Sequence, residues 1–600
     1  MPKTHATATS IAGSTSADAI PRTPTSLPRE FIDRILGIIA EKPARNDLVR
    51  RKMDLAKEMH IGFIPSDILI LTHLSGSEFE SAKEALLTKP VRTGSGVTVI
   101  AVMTKPLPCP HGKCTYCPGG PGSFFGDVPQ SYTGHEPATM RGMRAKYDAY
   151  TQVYNRLEQY IVSGHNPEKV ELILMGGTFP SYDSAYQDEV IHDIFQAMDD
   201  FSEQFYLAGE LQFAAFKEYF MLPGSVHDAK RGLSLQARIM ESKVSSKRRS
   251  RTIAELQQEN ETAMIRCIGL TIETRPSHAR TDHGLRMLTQ GATRVELGVQ
   301  TTYDDVLKKV HRDHTVQDTK DAISDLRDLG FKLNFHIMLG MPLMTPARDI
   351  SAARALFEDQ AFRPDMIKLY PCMVMPGTPL YYEWKAGAYS PYTTVQAADV
   401  ISEIKRYVPE YTRIMRIQRD IPTKVTSAGV GETNLRQTVK ELCDTKGISC
   451  RCIRCREPDK IAHTPVQPDI SLNTYEYEAS GGKEFFISAE DTANDRIMGF
   501  CRLRFPARSL HQEITSGTAI IRELHVYGTA TSIGDDGRIQ HRGLGRKLVA
   551  EAERIALTSG KDKMLIISGV GVREYYARTG YRSMGPYMGK RLAEHTPNNA

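Results

Sequence analysis

Cys109-Pro110-His111-Gly112-Lys113-Cys114-Thr115-Tyr116-Cys117, running straight into Pro118-Gly119-Gly120-Pro121-Gly122, is the stretch from which the rest of the chain can be read. Three thiolates separated by four and then two residues on a tight Gly/Pro-rich loop can converge on three corners of an iron–sulfur cube, leaving the fourth iron without a protein ligand. Such an iron is a reaction site. A zinc loop is the competing reading, and it would need a fourth ligand, for which only His111 stands nearby. The cluster is favoured because the chain around the loop repeats a barrel pattern that suits it.

Outward from the loop, residues 96–374 alternate short β-branched or apolar runs with amphipathic helical stretches. The runs predict strands over 97–103, 170–175, 267–272, 294–299, 333–339 and 366–370, with helices over 141–162, 186–198, 278–288, 316–329 and 350–360. Alternation of this kind implies parallel strands with crossover helices, whose chemistry gathers at the C-terminal strand ends. Six repeats make a partial barrel. Just past those ends lie Cys109, Gly176-Gly177-Thr178, Glu273-Thr274-Arg275-Pro276, Gln300 and Gly340-Met341-Pro342. Each alone could be turn chemistry; their shared location favours function.

The flanks differ in kind. Residues 1–27 are rich in Thr, Ser and Ala with little to bury and are expected to be disordered. Residues 28–92 show helical spacing (Phe31, Ile35, Ile38, Ile39) and a Ser66-Asp67 helix start. After a barrel spanning 93–385, a linker over 386–470 carries Cys450, Cys452 and Cys455, read as a structural zinc site. Its fourth ligand is open among Cys372, Cys443 and His463. Residues 471–600 read as an α+β domain with strands 485–488, 497–505 and 519–527. There the loop Gln540-His541-Arg542-Gly543-Leu544-Gly545 opens a helix over 546–558, aiming free N–H groups at a pyrophosphate. With a following strand over 564–567 and the turn Tyr575-Tyr576-Ala577-Arg578-Thr579-Gly580-Tyr581, that order matches an N-acetyltransferase binding coenzyme A.

Composition sets bounds. Six hundred residues, 40% of them hydrophobic, can bury several cores. No apolar run approaches the roughly 20 residues that span a bilayer, and no signal-peptide segment opens the chain, so a cytoplasmic protein is expected. Ten cysteines, mostly clustered, suit metal ligation in a reducing compartment rather than disulfides. The net charge of +5 is uneven: between Ala229 and Arg251 eight basic residues, among them Lys247, Arg248, Arg249 and Arg251, face one acid, Glu241. Together with Arg50, Arg51 and Lys52, this block points to a phosphate backbone, against the plainer reading of a solvated loop.

Taken together, these strings resemble the family of catalytic subunits of the Elongator complex, in its stand-alone prokaryotic type. The resemblance rests on Cys109-Pro110-His111, Tyr116-Cys117-Pro118-Gly119-Gly120-Pro121, Gln130-Ser131-Tyr132-Thr133-Gly134, Met175-Gly176-Gly177-Thr178-Phe179, Gln418-Arg419-Asp420-Ile421-Pro422, Arg522-Glu523-Leu524-His525-Val526-Tyr527-Gly528 and Gly585-Pro586-Tyr587-Met588. It implies an α/β fold: a partial (β/α)6 radical S-adenosylmethionine (SAM) barrel joined to an α+β GNAT-like acetyltransferase domain. The implied cofactors are a 4Fe-4S cluster on Cys109, Cys114 and Cys117, S-adenosylmethionine beside Gly176, Gly177 and Gln300, acetyl-CoA and a structural zinc. Acetyl-CoA contacts would come from Lys169 in the barrel and, beyond it, from the backbone of Glu523, Leu524, His525 and Val526, from Leu544, Gly545 and Arg546 at the pyrophosphate loop, and from Tyr576 near the sulfur. By composition alone Lys169 reads as a surface lysine.

The implied activity is that of a tRNA uridine(34) acetyltransferase, or carboxymethyluridine synthase. A 5'-deoxyadenosyl radical takes hydrogen from the acetyl methyl, the carbon adds to C5 of the wobble uridine, and hydrolysis leaves a carboxymethyl group. A barrel mouth capped by the second domain would exclude water from that chemistry. Implied partners are tRNA through its anticodon stem-loop and an electron donor. A homodimer is allowed, while the short cysteine gap and the added cysteines argue against dependence on other Elongator subunits. Tyr132, Tyr147 and Tyr150 are candidate stacking platforms, with core packing as the plainer role. Two other functions compete: a protein lysine acetyltransferase with a structural iron–sulfur module and Glu523 as its base by type alone, and a tRNA-binding scaffold.

Overall fold

The computed structural model describes residues 26–592 apart from 90–92, 94, 225–227, 459–468 and 528–542. The segment expected to be disordered thus lies almost wholly outside the described residues, as do His463 and Gln540-His541-Arg542. Helices Arg29–Ala40, Arg45–Glu58, Asp67–His73 and Gly76–Ala82 come first. Phe31, Ile35 and Ile39, one helical turn apart, all turn inward. Ser66 caps the third helix, its hydroxyl accepting from the Leu69 N–H at 3.1 Å. Phe79 then stacks on Phe213, centroids 4.1 Å apart, and ties this bundle to the barrel.

Seven parallel strands lie side by side in sequence order: β1 (Thr98–Met103), β2 (Lys169–Met175), β3 (Arg266–Thr274), β4 (Arg294–Gln300), β5 (Lys332–Leu339), β6 (Met366–Pro371) and β7 (Arg413–Arg416). Six match the sequence reading. The seventh, Arg-Ile-Met-Arg, is too short and charged to show a period, and it joins β6 across a register shift. The sheet stays open, with β1 and β7 as its edges. Residues 141–162 do not form one helix: Pro137–Arg144 and Ala149–Ile161 are separated by Lys146 and Tyr147 at positive φ. Asp148 caps the second, accepting from the Thr151 N–H at 2.8 Å, so a local cap outweighs a continuous apolar stripe.

Beyond the barrel, a second sheet runs in the order β8 (Ile470–Ala479), β9 (Gly482–Asp491), β10 (Arg496–Phe505), β11 (Thr518–Val526), β12 (Lys563–Ile566), β14 (Tyr587–Arg591), β13 (Arg582–Met584). Only β11 and β12 pair in parallel. Helix Leu544–Thr558 lays Leu548, Ala552 and Ile555 on this sheet. The first strand and the closing hairpin escaped the sequence reading, because β8 is mostly exposed and polar.

Docking between the two sheets differs from the expectation of a capped mouth. The C-terminal region meets residues that precede the barrel strands. Asp365, just before β6, takes two 2.8 Å bonds from Arg522, and Lys332, opening β5, pairs with Glu523 at 2.8 Å. A Cβ on Gly571 would fall 2.5 Å from that of Arg266, the first residue of β3. The C-terminal sheet therefore closes the N-terminal end of the barrel, and the cysteine loop lies at the other. Arg502, Arg504, Arg522, Asp328, Asp365 and Glu484 in this joint are all fully or almost fully buried. Among the described residues no helix is long and apolar enough to cross a membrane.

Candidate functional site

The loop after β1 is held by backbone bonds from both sides, Thr115 N–H to Val310 O and Leu380 N–H to Thr115 O, each 3.0 Å. Gly119 admits no side chain: a Cβ there would sit 2.3 Å from Pro129 O and 2.4 Å from Tyr132 O. Gly176 and Gly177, at φ +116° and +100°, pass so close to Thr104 and Tyr182 that no side chain fits. Gln300, ending β4, also holds positive φ, a strain characteristic of working sites.

Around the thiols the charges are positive. Arg312 reaches 3.7 Å from Cys114 Sγ, and Arg275, 1% exposed, keeps Nε and Nη1 without a partner among the described residues. Burial pushes the Cys117 thiol up to about 11 and raises that of Cys109. Three thiolates here would need compensating cations, which the irons of a cluster and two buried guanidiniums would supply. A single zinc fits less well: among the described residues the groups whose donor atoms all lie within 4.8 Å of one another are Cys450, Cys452, Cys455 and Glu273, Glu296, His336. The wider spread of Cys109, Cys114 and Cys117 suits separate iron corners, so the residues fit the cluster.

Cys109, Gly177, Thr178 and Gln300 line one wall of a cavity of about 460 Å³ inside the barrel. Deeper in the same cavity stand Glu273 (β3), Glu296 (β4), His336 (β5), Lys368 and Tyr370 (β6). None of the last four was singled out from sequence; the available signal was a charge at an inward position of an apolar strand, as in Val295-Glu296-Leu297 and Ile367-Lys368-Leu369. Burial alone would raise the pKa of Glu296, but Lys368 and His336 outweigh it and hold the carboxyl well below its ordinary value. Tyr132 joins this cavity, while Tyr150 is a core residue bonded to Asp200 at 3.0 Å.

The chain belongs to the Elongator protein 3 family. A radical SAM superfamily model matches residues 234–352, and a Radical_SAM C-terminal domain model matches 364–443. The chain is 44% identical to a tRNA uridine(34) acetyltransferase of Methanocaldococcus jannaschii over 88% of this chain and 90% of that one. It is 40% identical to Elongator complex protein 3 of Homo sapiens over 84% and 86%. The structure of Methanocaldococcus infernus Elp3 with an N-terminal deletion superposes with a TM-score of 0.66 at 38% identity, covering 83% of this chain and all of that one.

Other residues that the family resemblance singled out fall into two places. Lys169 opens β2, about 20 Å along the strand from Met175 at the cysteine end. It pairs in register with Arg266, whose guanidinium lies 3.8 Å from Glu574 in the helix carrying Tyr576. Lys169 and the C-terminal residues therefore share one end of the barrel. Leu544, Gly545 and Arg546 form the first turn of their helix behind Gly543 at φ +74°. Tyr576 is buried between Tyr575 and Tyr581. His525 stacks on Phe500, and burial brings its pKa down to about 4. Leu524 and Val526 border the C-terminal core. Glu523 is committed to ion pairs with Lys332 (2.8 Å) and Arg502 (2.9 Å).

Cys450, Cys452 and Cys455 converge, with Lys405 Nζ 3.5 Å from Cys455 Sγ. Cys372 does not join them: it is packed with Tyr370, Val374 and Tyr389 beside the barrel. Cys443 lies in the field of Cys455 and Lys405 instead. The four residues singled out at the end of the basic block each meet a carboxylate. Lys247 pairs with Glu203, Arg248 with Asp200, Glu203 and Glu259, Arg249 with Asp193, and Arg251 with Glu255. Arg50, Arg51 and Lys52 likewise meet Asp47, Glu41 and Asp67. Some of these acids are close in sequence, as Glu255 is to Arg251, whereas Asp193, Asp200 and Glu203 come from a helix more than 40 residues earlier.

Proposed function

We propose that this chain is a radical SAM acyltransferase of tRNA, acting as a tRNA uridine(34) acetyltransferase and building a carboxymethyl group on C5 of the wobble uridine. The observation that carries the reading is one cavity lined both by the cysteine loop and by a deep polar floor, in a chain so similar over its length to curated enzymes of that name. Cys109, Cys114 and Cys117 would hold a 4Fe-4S cluster, and Gly176, Gly177 and Gln300 would give S-adenosylmethionine room beside it. When bound, that pair supplies a carbon-centred radical able to take hydrogen from an acetyl methyl group. Arg275 and Arg312 balance the negative charge of the thiolates, and the buried cavity walls keep water from reactive carbon.

Lys169, the backbone of residues 523–526, Leu544, Gly545, Arg546 and Tyr576 would contact acetyl-CoA, a reading supported by the position of Lys169 and the C-terminal residues at the N-terminal end of the barrel. Cys450, Cys452 and Cys455 would bind a structural zinc, with Cys443, in the field of Cys455, the nearer of the described candidates for a fourth ligand. Against the protein acetyltransferase alternative, the carboxylate offered as its base, Glu523, is occupied by two cations. The test is anaerobic incubation of the reconstituted protein with both small molecules, a reductant and tRNA, followed by mass spectrometry of the nucleosides. Native protein should yield C5-modified uridine. Cys114→Ala should yield none while still binding tRNA; modification by that variant would overturn the radical reading.

A further inference from the structure

The floor of the barrel cavity has a division of labour that the cluster does not explain. Glu296 is saturated: Lys368 Nζ bonds its Oε2, His336 Nε2 lies 2.8 Å from the same oxygen, and Asn334 Nδ2 donates to Oε1 at 3.1 Å. Glu273 is not. Its Oε2 accepts from Tyr132 OH at 3.0 Å, while Oε1 stands 4.0 Å from Lys368 Nζ with no hydrogen bond among the described residues. Lys368 in turn has N–H groups beyond the one it gives Glu296. The cavity thus offers one anionic acceptor and one cationic donor side by side, both held from behind. A metal ion is a poor occupant, although Glu273, Glu296 and His336 lie close enough to hold one, because the Lys368 ammonium already supplies the cation.

Flat groups flank this pair. The Arg419 guanidinium lies 5.7 Å from the Tyr132 ring and 6.0 Å from the Tyr370 ring, and His336 meets Tyr370 edge-on at 5.6 Å. All four line the cavity. Planar walls around a fixed acceptor and donor are how proteins hold a nucleobase taken out of its stack. We propose that the barrel interior reads the Watson–Crick edge of a single uracil, Glu273 accepting from N3–H and Lys368 donating to O4, with the ring against Tyr132, Tyr370 and Arg419. This rests on the reading of the protein as a tRNA uridine enzyme and assigns the residues that choose the base. Cytosine places a lone pair opposite Glu273 and an amino group opposite Lys368, so both contacts turn repulsive.

Glu273 is the position to test, since removing Lys368 would strip the buried Glu296 of its nearest cation and endanger the fold. Anticodon stem-loop RNAs carrying uridine, cytidine or 3-methyluridine at the wobble position are titrated against anaerobically purified full-length protein by fluorescence anisotropy. Native protein should bind the uridine loop about tenfold or more tighter than the other two, the cost of an unmet buried hydrogen bond. Glu273→Ala should bind all three within about twofold of one another, at the weaker level. Glu273→Gln, whose amide can turn its N–H toward the lone pair of cytosine N3, should move the preference toward the cytidine loop relative to Glu273→Ala. Equal binding of the three loops by native protein, or retention of the native preference by Glu273→Ala, overturns the proposal. The nucleoside assay above separates the two claims. C5 modification without base preference removes only the base-reading site, whereas preference without modification removes only the proposed reaction.

Discussion

Replacing Glu523 by Gln should cost the folded chain about 3 kcal/mol at pH 7 while leaving the chemistry of any acyl transfer in place. Burial alone would raise this carboxyl, but Lys332 and Arg502 outweigh it and bring it from an ordinary 4.5 down to about 2. At about 1.4 kcal/mol per pH unit, that difference is worth roughly 3 kcal/mol. The cost of breaking a buried ion pair, roughly 3 to 5 kcal/mol, gives the same scale independently. Because the folded-state pKa is depressed, the contribution is fully present above about pH 4.5 and is lost as pH falls toward 2, shrinking to about 1 kcal/mol near pH 3. Calorimetric unfolding of the full chain and of Glu523→Gln, compared from pH 7 downward, reads it as a gap that narrows with acid. Acetyl-CoA hydrolysis by the folded variant should keep its native pH profile. Equal stability at pH 7 combined with a lost acidic limb in that profile would refute the ion-pair assignment and make Glu523 a catalytic base.

Neutralising Lys247 and Arg249 to Ala should leave the slope of tRNA affinity against salt unchanged, since each already faces a carboxylate. A slope reduced by about 0.7 to 0.9 per residue would return the block to the RNA surface. Zinc content, measured by mass spectrometry of the metal, should fall in Cys443→Ser and hold in Cys372→Ser; the opposite pattern would restore Cys372 as the fourth ligand. X-ray scattering should report the same radius of gyration with and without acetyl-CoA, and an expansion or contraction on binding would show that the joint between the sheets opens.

Local pattern carried the barrel, and long-range pairing carried what was missed. Six strands were legible because runs such as Leu333 to Leu339 bury one face on helices and hydrophobicity alone marks them. The cysteine loop was legible because thiol spacing is a local constraint, and so was the Ser66 cap. Hidden from sequence were partners brought together by the fold. Arg248 reads as one cation in a run until Asp200, Glu203 and Glu259 close around it. Cys372 looked as available as Cys443 until the turn after β6 carried it into an apolar cluster. Glu273 and Lys368, nearly a hundred residues apart, become neighbours only because β3 and β6 face one interior.

The buried joint constrains how two binding regions can serve one reaction. Arg502, Arg504 and Arg522 cross from the C-terminal sheet to Asp328 and Asp365 with almost no exposure to water. Hinging the sheets apart would leave these charges without partners in a poorly hydrated surface, each at a cost of several kcal/mol before new hydration offsets it. Such a contact favours fixed geometry over alternating access. If acetyl-CoA binds at the N-terminal end of the barrel as proposed, its acyl arm would have to extend along the roughly 20 Å that separate Lys169 from the cysteine end of β2, with no moving domain to carry it. The RNA base has no such route through the joint. On the proposed reading it would enter from the open side of the sheet, where Val99 and Ala101 of the edge strand β1 and Arg416 of the edge strand β7 line the same cavity.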